Sequence, residues 1–187
     1  LAHFDAQLDA IERGEPPQEP LFVELGQVIA AHRLPLAPFH ALLSAFSQDC
    51  VKSRYADYAE LLDYSRRSAD PVGRLLLHLF DACAPDTLAC SDRICTALQL
   101  INFWQDVAID YAKDRIYLPL EDMPRFSVAE TQLGRGEADS SFRALMRFQV
   151  ARTRALLYEG AALGQRLKGR IGLEIPLVMR ILKRNVQ

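Results

Sequence analysis

No stretch of the chain sustains the apolar–polar alternation of a β-strand, which excludes a β-rich architecture. Long hydrophobic runs are missing too. The segment Arg74-Leu-Leu-Leu-His-Leu-Phe80 is far shorter than the ~20 residues that span a bilayer, and no signal-peptide pattern opens the sequence. There is no excess of positive charge: the formal net charge is −2, so nucleic acid is not an expected partner. A glycine-rich dinucleotide fingerprint is absent, and no nicotinamide cofactor is expected. The cysteines (Cys50, Cys83, Cys90, Cys95) lack zinc-ligand spacing and have no histidine close by in sequence. They read as buried, reduced thiols of a cytoplasmic protein. The four histidines are scattered and read as packed or solvent-facing.

What is present is ordinary globular material. Half of the 187 residues are hydrophobic and a quarter are charged. A chain of this size fits one domain and buries about 70% of the surface its unfolded form would expose. The sequence begins in mid-pattern at Leu1, without an initiating Met, and ends abruptly at Gln187, so a fragment is expected.

Helical periodicity dominates. Residues 1–13 predict a first helix, stopped by Gly14 and Pro16-Pro17, and Leu21 to His32 a second, ended by Leu34-Pro35. Pro38 opens a third, reaching about Lys52. Asp57 and Glu60 form a capping box for a helix through Tyr64 to Ala69. Pro71 then removes a backbone donor, giving either a kink that leaves room for a long ligand or a plain boundary between helices. Apolar residues resume to Phe80. Pro85 and Ser91-Asp92 mark the approach to a helix over about 92–112. Ser127 and Glu130 cap a short helix, Ser140 or Ser141 starts one reaching about Leu163, and a broken helix follows Gly172.

Within the 92–112 helix, about 100° of rotation per residue places Gln99, Asn102, Asp106, Asp110 and Lys113 on one narrow stripe. The stripe holds two carboxylates, two amides and an ammonium among Leu, Ile, Phe, Trp, Val and Ala. Polar groups in apolar surroundings are costly unless something binds them. Carboxylates four apart repel, and a divalent cation reverses the sign of that interaction. Mg²⁺ takes one or two protein carboxylates and completes its shell with water and phosphate oxygens. The stripe therefore reads as a metal-bridged phosphate site facing the inside of a helical protein. Asp5 and Asp9 share the spacing but lie in a plain amphipathic stretch, and read as a solvated face. Acids late in a helix, as Asp106 and Asp110 are, oppose its macrodipole and need a reason to be there.

With these residues on the page, the chain resembles the squalene and phytoene synthases. One family signature runs from Gln99 through Asn102, Asp106, Asp110 and Arg115 to Tyr117 and Pro119. Another is visible as Tyr64-Ser-Arg-Arg-Ser-Ala-Asp-Pro-Val-Gly-Arg-Leu-Leu76. The likeness extends over most of the chain. With Gln48-Asp-Cys-Val-Lys-Ser-Arg-Tyr55 and Asn102-Phe-Trp-Gln-Asp106, it leans to the bacterial hopanoid-pathway branch, the hydroxysqualene synthase type.

The resemblance implies an all-α, single-domain helical bundle of the isoprenoid synthase type over residues 1–187. It implies Asp106 and Asp110 as metal ligands, with Gln99 and Asn102 sharing the catalytic cavity. Arg115, Tyr117, Gln105, Lys113, Tyr55, Tyr64, Arg66 and Ser68 are implied to contact substrate or its diphosphate. Phe103, Trp104 and Phe148 join Tyr55 and Tyr64 as candidate walls around a carbocation. Two or three Mg²⁺ ions are implied with diphosphate, and presqualene or farnesyl diphosphate as substrate. Peripheral membrane contact and a homodimer are compatible with it. The expected reaction is ionisation of presqualene diphosphate and capture by water. Condensation of two farnesyl or geranylgeranyl diphosphates is the alternative, and a non-catalytic helical partner the second. Two departures stand out: Gln105 occupies a place where the family carries Arg or Glu, and the family's upstream aspartate-rich motif has no match. A chain without that motif is expected to be inactive.

Overall fold

Proline and glycine punctuation sets most helix limits. The computed structural model describes residues 1–167. Its elements are α1 (Ala2–Glu12), α2 (Pro20–His32), α3 (Ala37–Asp49), α4 (Tyr58–Ser68), α5 (Asp70–Leu79) and α6 (Pro85–Gln105). They continue with α7 (Val107–Ala112), α8 (Asp122–Arg125), α9 (Glu130–Arg135), α10 (Ser140–Glu159) and α11 (Leu163–Arg166). The all-α expectation holds. Among the described residues, extended pairing is confined to a parallel bridge between Arg54 and Ile116.

Several boundaries differ from expectation. The motif helix starts at Pro85, not near 92, because proline fits the first turn of a helix, and Ser91 lies inside it, buried. Pro71 ends no helix by kinking it; it occupies the first turn of a new helix, α5, after a break at Ala69. Asp57 caps α4 as expected, its side chain accepting from the Glu60 amide at 2.8 Å. Glu60 reaches back one residue further than a capping box requires, to the Ala56 amide at 2.7 Å. Ser127 caps nothing and sits at φ +57°. The cap of α10 is Asp139, which accepts from the Phe142 amide, and that helix ends at Gly160. Segment α8 carried no sequence signal, and the helix expected after Gly172 lies outside the described residues.

The long helix α6 is the axis of the molecule. It packs against α4, α5 and α10, which bury Ile94, Ala97, Leu100, Ile101, Phe103 and Trp104 along it. Leu61, Leu100 and Leu145 are fully buried in the larger core, which also takes Tyr55, Tyr64, Phe103 and Trp104. A second cluster joins Leu77 of α5, Ile94 and Ala97 of α6, and Leu157 and Leu163. The Trp104 indole donates to the Thr153 hydroxyl at 2.8 Å, which satisfies a buried donor and fixes α6 against α10. Of the four free cysteines only Cys90 is buried, and Cys50 is exposed. Asp5 is not merely solvated, since its carboxylate meets His40 of α3 at 2.7 Å.

Candidate functional site

The stripe survives a hitch in the helix. Asp106 lies between α6 and α7 at φ −97°, ψ 11°. The Asp106 amide nevertheless donates to the Asn102 carbonyl at 2.9 Å, and the Asp110 amide to the Asp106 carbonyl at 2.8 Å. Asn102, Asp106 and Asp110 therefore stay stacked one turn apart. The Asn102 amide donates to the Asp106 carboxylate at 3.2 Å. Burial, and then the charge of Asp106, push the Asp110 carboxyl above the usual range, against the pull of Lys113 and Arg115. Burial is the larger cause and the neighbouring like charge the smaller, and a bound cation would oppose both.

The orientation differs from the inward one expected. Among the described residues Asn102, Gln105 and Lys113 are exposed, and Asp106 and Asp110 are half-buried. The other sides of α6 are taken by α4, α5 and α10, so the stripe runs along an open edge. Beneath it Asp110 shares a narrow crevice with Phe103, Arg115 and Tyr117.

A chain reversal builds the rest. Asp114 adopts φ +57°, and the Arg115 amide donates back to the Asp110 carbonyl at 2.9 Å. Arg54 holds this turn, donating to the Asp114 carbonyl at 2.6 Å and pairing with its carboxylate at 2.8 Å. The chain then runs beside residues 53–56: Ile116 donates to the Ser53 carbonyl and Leu120 to the Tyr55 carbonyl, both at 2.9 Å. That pairing places Tyr117 against Phe103, rings stacked at 3.8 Å, and beside Tyr55 at 5.6 Å.

The residue that joins these parts is Asp49, the last residue of α3. Its carboxylate accepts from the Tyr64 hydroxyl at 2.9 Å and pairs with Arg115 at 3.3 Å. Arg115 also donates to the Asp49 carbonyl at 2.7 Å and to the Tyr117 hydroxyl at 3.2 Å. Burial pushes the Tyr55, Tyr64 and Tyr117 phenols up, so all three remain protonated near neutrality. Asp49 was given no role from the sequence. Its signal was the one used for Asp106, an acid at the end of a helix whose dipole opposes it. Asp49→Ala is expected to remove the carboxylate that Arg115 and Tyr64 share, leaving Arg115 its bonds to the residue-49 carbonyl and Tyr117, and to cost about 1–3 kcal/mol. A thermal melt should fall by roughly 3–10 °C; an unchanged melt would mean the network holds nothing together.

The remaining candidates lie in different places. Gln105 faces a second cleft, of about 230 Å³, formed with α9 and α10. Arg66 is exposed and lines a cleft over α4, α5 and α6. Ser68 donates to the Tyr64 carbonyl at 3.0 Å, and Gln99 is half-buried. The Trp104 indole N–H is committed to α10 although its ring shares the core with Tyr55, Tyr64 and Phe103, and Phe148 packs on Phe126 and Arg125.

A helical bundle around one long central helix, carrying an aspartate pair above an arginine–tyrosine floor, has the architecture of the isoprenoid synthases. Solved structures agree. The chain superposes on squalene synthase HpnC from Alicyclobacillus acidocaldarius with a TM-score of 0.85 at 32% identity, covering 98% of this chain and 72% of that one. A dehydrosqualene synthase in complex with ligand gives a TM-score of 0.81 at 26% identity, covering 96% and 66%. The squalene/phytoene synthase family model matches residues 1–184. The hydroxysqualene synthase of Zymomonas mobilis is 33% identical over 172 residues, covering 90% of this chain and 58% of that protein. The phytoene synthase of Arthrospira platensis is 33% identical over 178 residues, covering 87% and 57%. The chain belongs to the squalene/phytoene synthase family. It spans somewhat under 60% of the length of these two relatives.

Proposed function

We propose that this protein acts in Mg²⁺-dependent chemistry on isoprenoid diphosphates, and that its reaction is ionisation of presqualene diphosphate with capture by water to give hydroxysqualene. One observation carries the reading: two carboxylates one turn apart on an open edge, the second held above its usual protonation range by burial and by the first. The donor set suits Mg²⁺, because hard oxygen ligands left open on one side leave room for phosphate oxygens and water. Asp106 and Asp110 would hold the ion, which when bound would neutralise charge developing on a departing diphosphate.

The chain's own groups have separate tasks. Arg115, fixed by Asp49 and Tyr117, adds a permanent positive charge beside the pair. Asn102 orients the Asp106 carboxylate. Val72, Leu76 and Phe80 form an exposed apolar row along α5 and its end, of the kind an isoprenoid tail would cover. In the reaction the C–O ester bond breaks and its electron pair leaves with diphosphate. The cyclopropylcarbinyl cation rearranges and a ring C–C bond opens as one water adds, forming the new C–O bond, and one proton of that water passes to the diphosphate. No reductant enters that balance.

The test is to supply presqualene diphosphate and farnesyl diphosphate separately with Mg²⁺ and identify products by mass. Hydroxysqualene from presqualene diphosphate alone, without nicotinamide, is expected. A second reading, condensation of two farnesyl or geranylgeranyl diphosphates, is favoured by the phytoene synthase relatives, which are as similar as the hydroxysqualene synthases. Presqualene diphosphate or phytoene as product would establish it instead.

A further inference from the structure

Packed against the other face of α6 is a buried acid that the reaction does not use. Asp70, the first residue of α5, is only 3% exposed. Its Oδ1 accepts from the Thr96 hydroxyl of α6 at 2.7 Å. The carboxyl forms part of the lining of a cleft of about 410 Å³, with Leu62 and Arg66 of α4, Arg74 of α5, and Asp92 and Thr96 of α6. The helices are in close contact here. A Cβ on Gly73 would stand 2.4 Å from the Ser91 hydroxyl oxygen and 2.5 Å from the Cys95 sulfur. The junction is also a hub for the site. Two residues before Asp70 is Ser68, and Tyr64 lies one turn further back. Gln99 follows Thr96 by three residues, about 60° around the helix.

We infer that Asp70 is a positioning residue: by clasping Thr96 it sets the register of the α4–α5 junction against α6, and so the placement of the Gln99–Asp110 stripe relative to Tyr64. The consequence for turnover rests on the functional reading above. The clasp is strongest with the carboxylate ionised, since a charged acceptor makes the shorter and stronger hydrogen bond.

The surroundings decide when that form is present. Burial pushes the Asp70 carboxyl up to about 7; the Thr96 hydrogen bond opposes this, the Asp92 charge adds to it, and Arg74 and Arg66 oppose it. Asp92 pairs with Arg74 at 2.7 Å, and Arg93 at the rim pairs with Glu159 of α10 at 3.3 Å. Burial pushes the neighbouring Cys95 thiol up to about 11, so it stays neutral. Because the folded value is raised, Asp70 contributes most stability below its unfolded value near 4 and loses that contribution as pH rises through about 7. The clasp tightens over the range in which that contribution declines.

The experiment compares wild type with Asp70→Asn and Thr96→Val from pH 5.5 to 8.5. It reads kcat and KM for Mg²⁺-dependent diphosphate release and, independently of activity, the emission of Trp104 on the same helix. Wild type should gain kcat and shift its emission with a midpoint near 7, with KM little changed. Asp70→Asn keeps an acceptor for Thr96 without a titrating charge, so it should stay folded and lose both transitions. Thr96→Val should lower kcat about tenfold across the range, because misplacement by ~1 Å costs up to 10²-fold. A midpoint that persists in Asp70→Asn, or wild-type kcat in Thr96→Val, overturns the inference. An emission change that vanishes in Asp70→Asn, in a protein with no turnover at any pH, supports the clasp and counts against the functional reading.

Discussion

In the full-length protein, Asp106→Asn should lower Mg²⁺-dependent diphosphate release by about 10²–10³-fold, the usual cost of removing one preorganised electrostatic partner of a leaving group. The substitution keeps the shape of the side chain and an acceptor for the Asn102 amide, a 3.2 Å bond in the native protein. The helical circular dichroism should therefore be unchanged. Removing the Asp106 charge also removes a cause of the raised Asp110 value, so Asp110 should ionise at lower pH in the variant. Turnover within about threefold of wild type would take these carboxylates out of the mechanism, since the expected loss is far larger.

Gly160→Val should be among the most destabilising single changes in the protein. Gly160 has an ordinary φ of −80°, so the limit is space rather than conformation. A Cβ there would meet the Cys90 carbonyl oxygen and Ile94 Cγ1, each at 2.7 Å, and Arg93 Cβ at 3.2 Å. A backbone carbonyl inside α6 cannot swing away as a side-chain tip can. Forcing α10 off α6 should cost at least about 1–3 kcal/mol, read as a fall in melting temperature of roughly 3–10 °C. A valine variant that melts with the wild type would show that α10 and α6 are not packed this closely.

The sequence was most legible where local rules act alone. Asp57 caps α4, Pro71 marks a helix boundary, and the 3.6-residue period puts Asn102, Asp106 and Asp110 on one line. Periodicity says which residues share a face, not what lies opposite, so the open edge of the stripe could not be read from it. Ser91-Asp92 looked like a helix start because serine and aspartate favour N-caps. In the structure Ser91 is buried within α6, against the space where Gly73 has no side chain. The floor of the site was hidden for another reason: Asp49, Tyr64 and Arg115 meet only because residues 116–121 run beside 53–56, a pairing across some sixty residues. Gln105, next to Asp106 in sequence, turns to a different cleft because adjacent helical positions diverge by about 100°.

Paramagnetic titration measures the stripe's affinity for a divalent ion directly. Mn²⁺ substitutes for Mg²⁺ at oxygen sites, and the electron paramagnetic resonance of the free ion reports what is left unbound. With inorganic diphosphate present, wild type should deplete that signal well beyond the diphosphate-only control, and Asp106→Asn/Asp110→Asn should return it to the control. Equal depletion by wild type and the double variant would place the metal somewhere other than this pair of carboxylates.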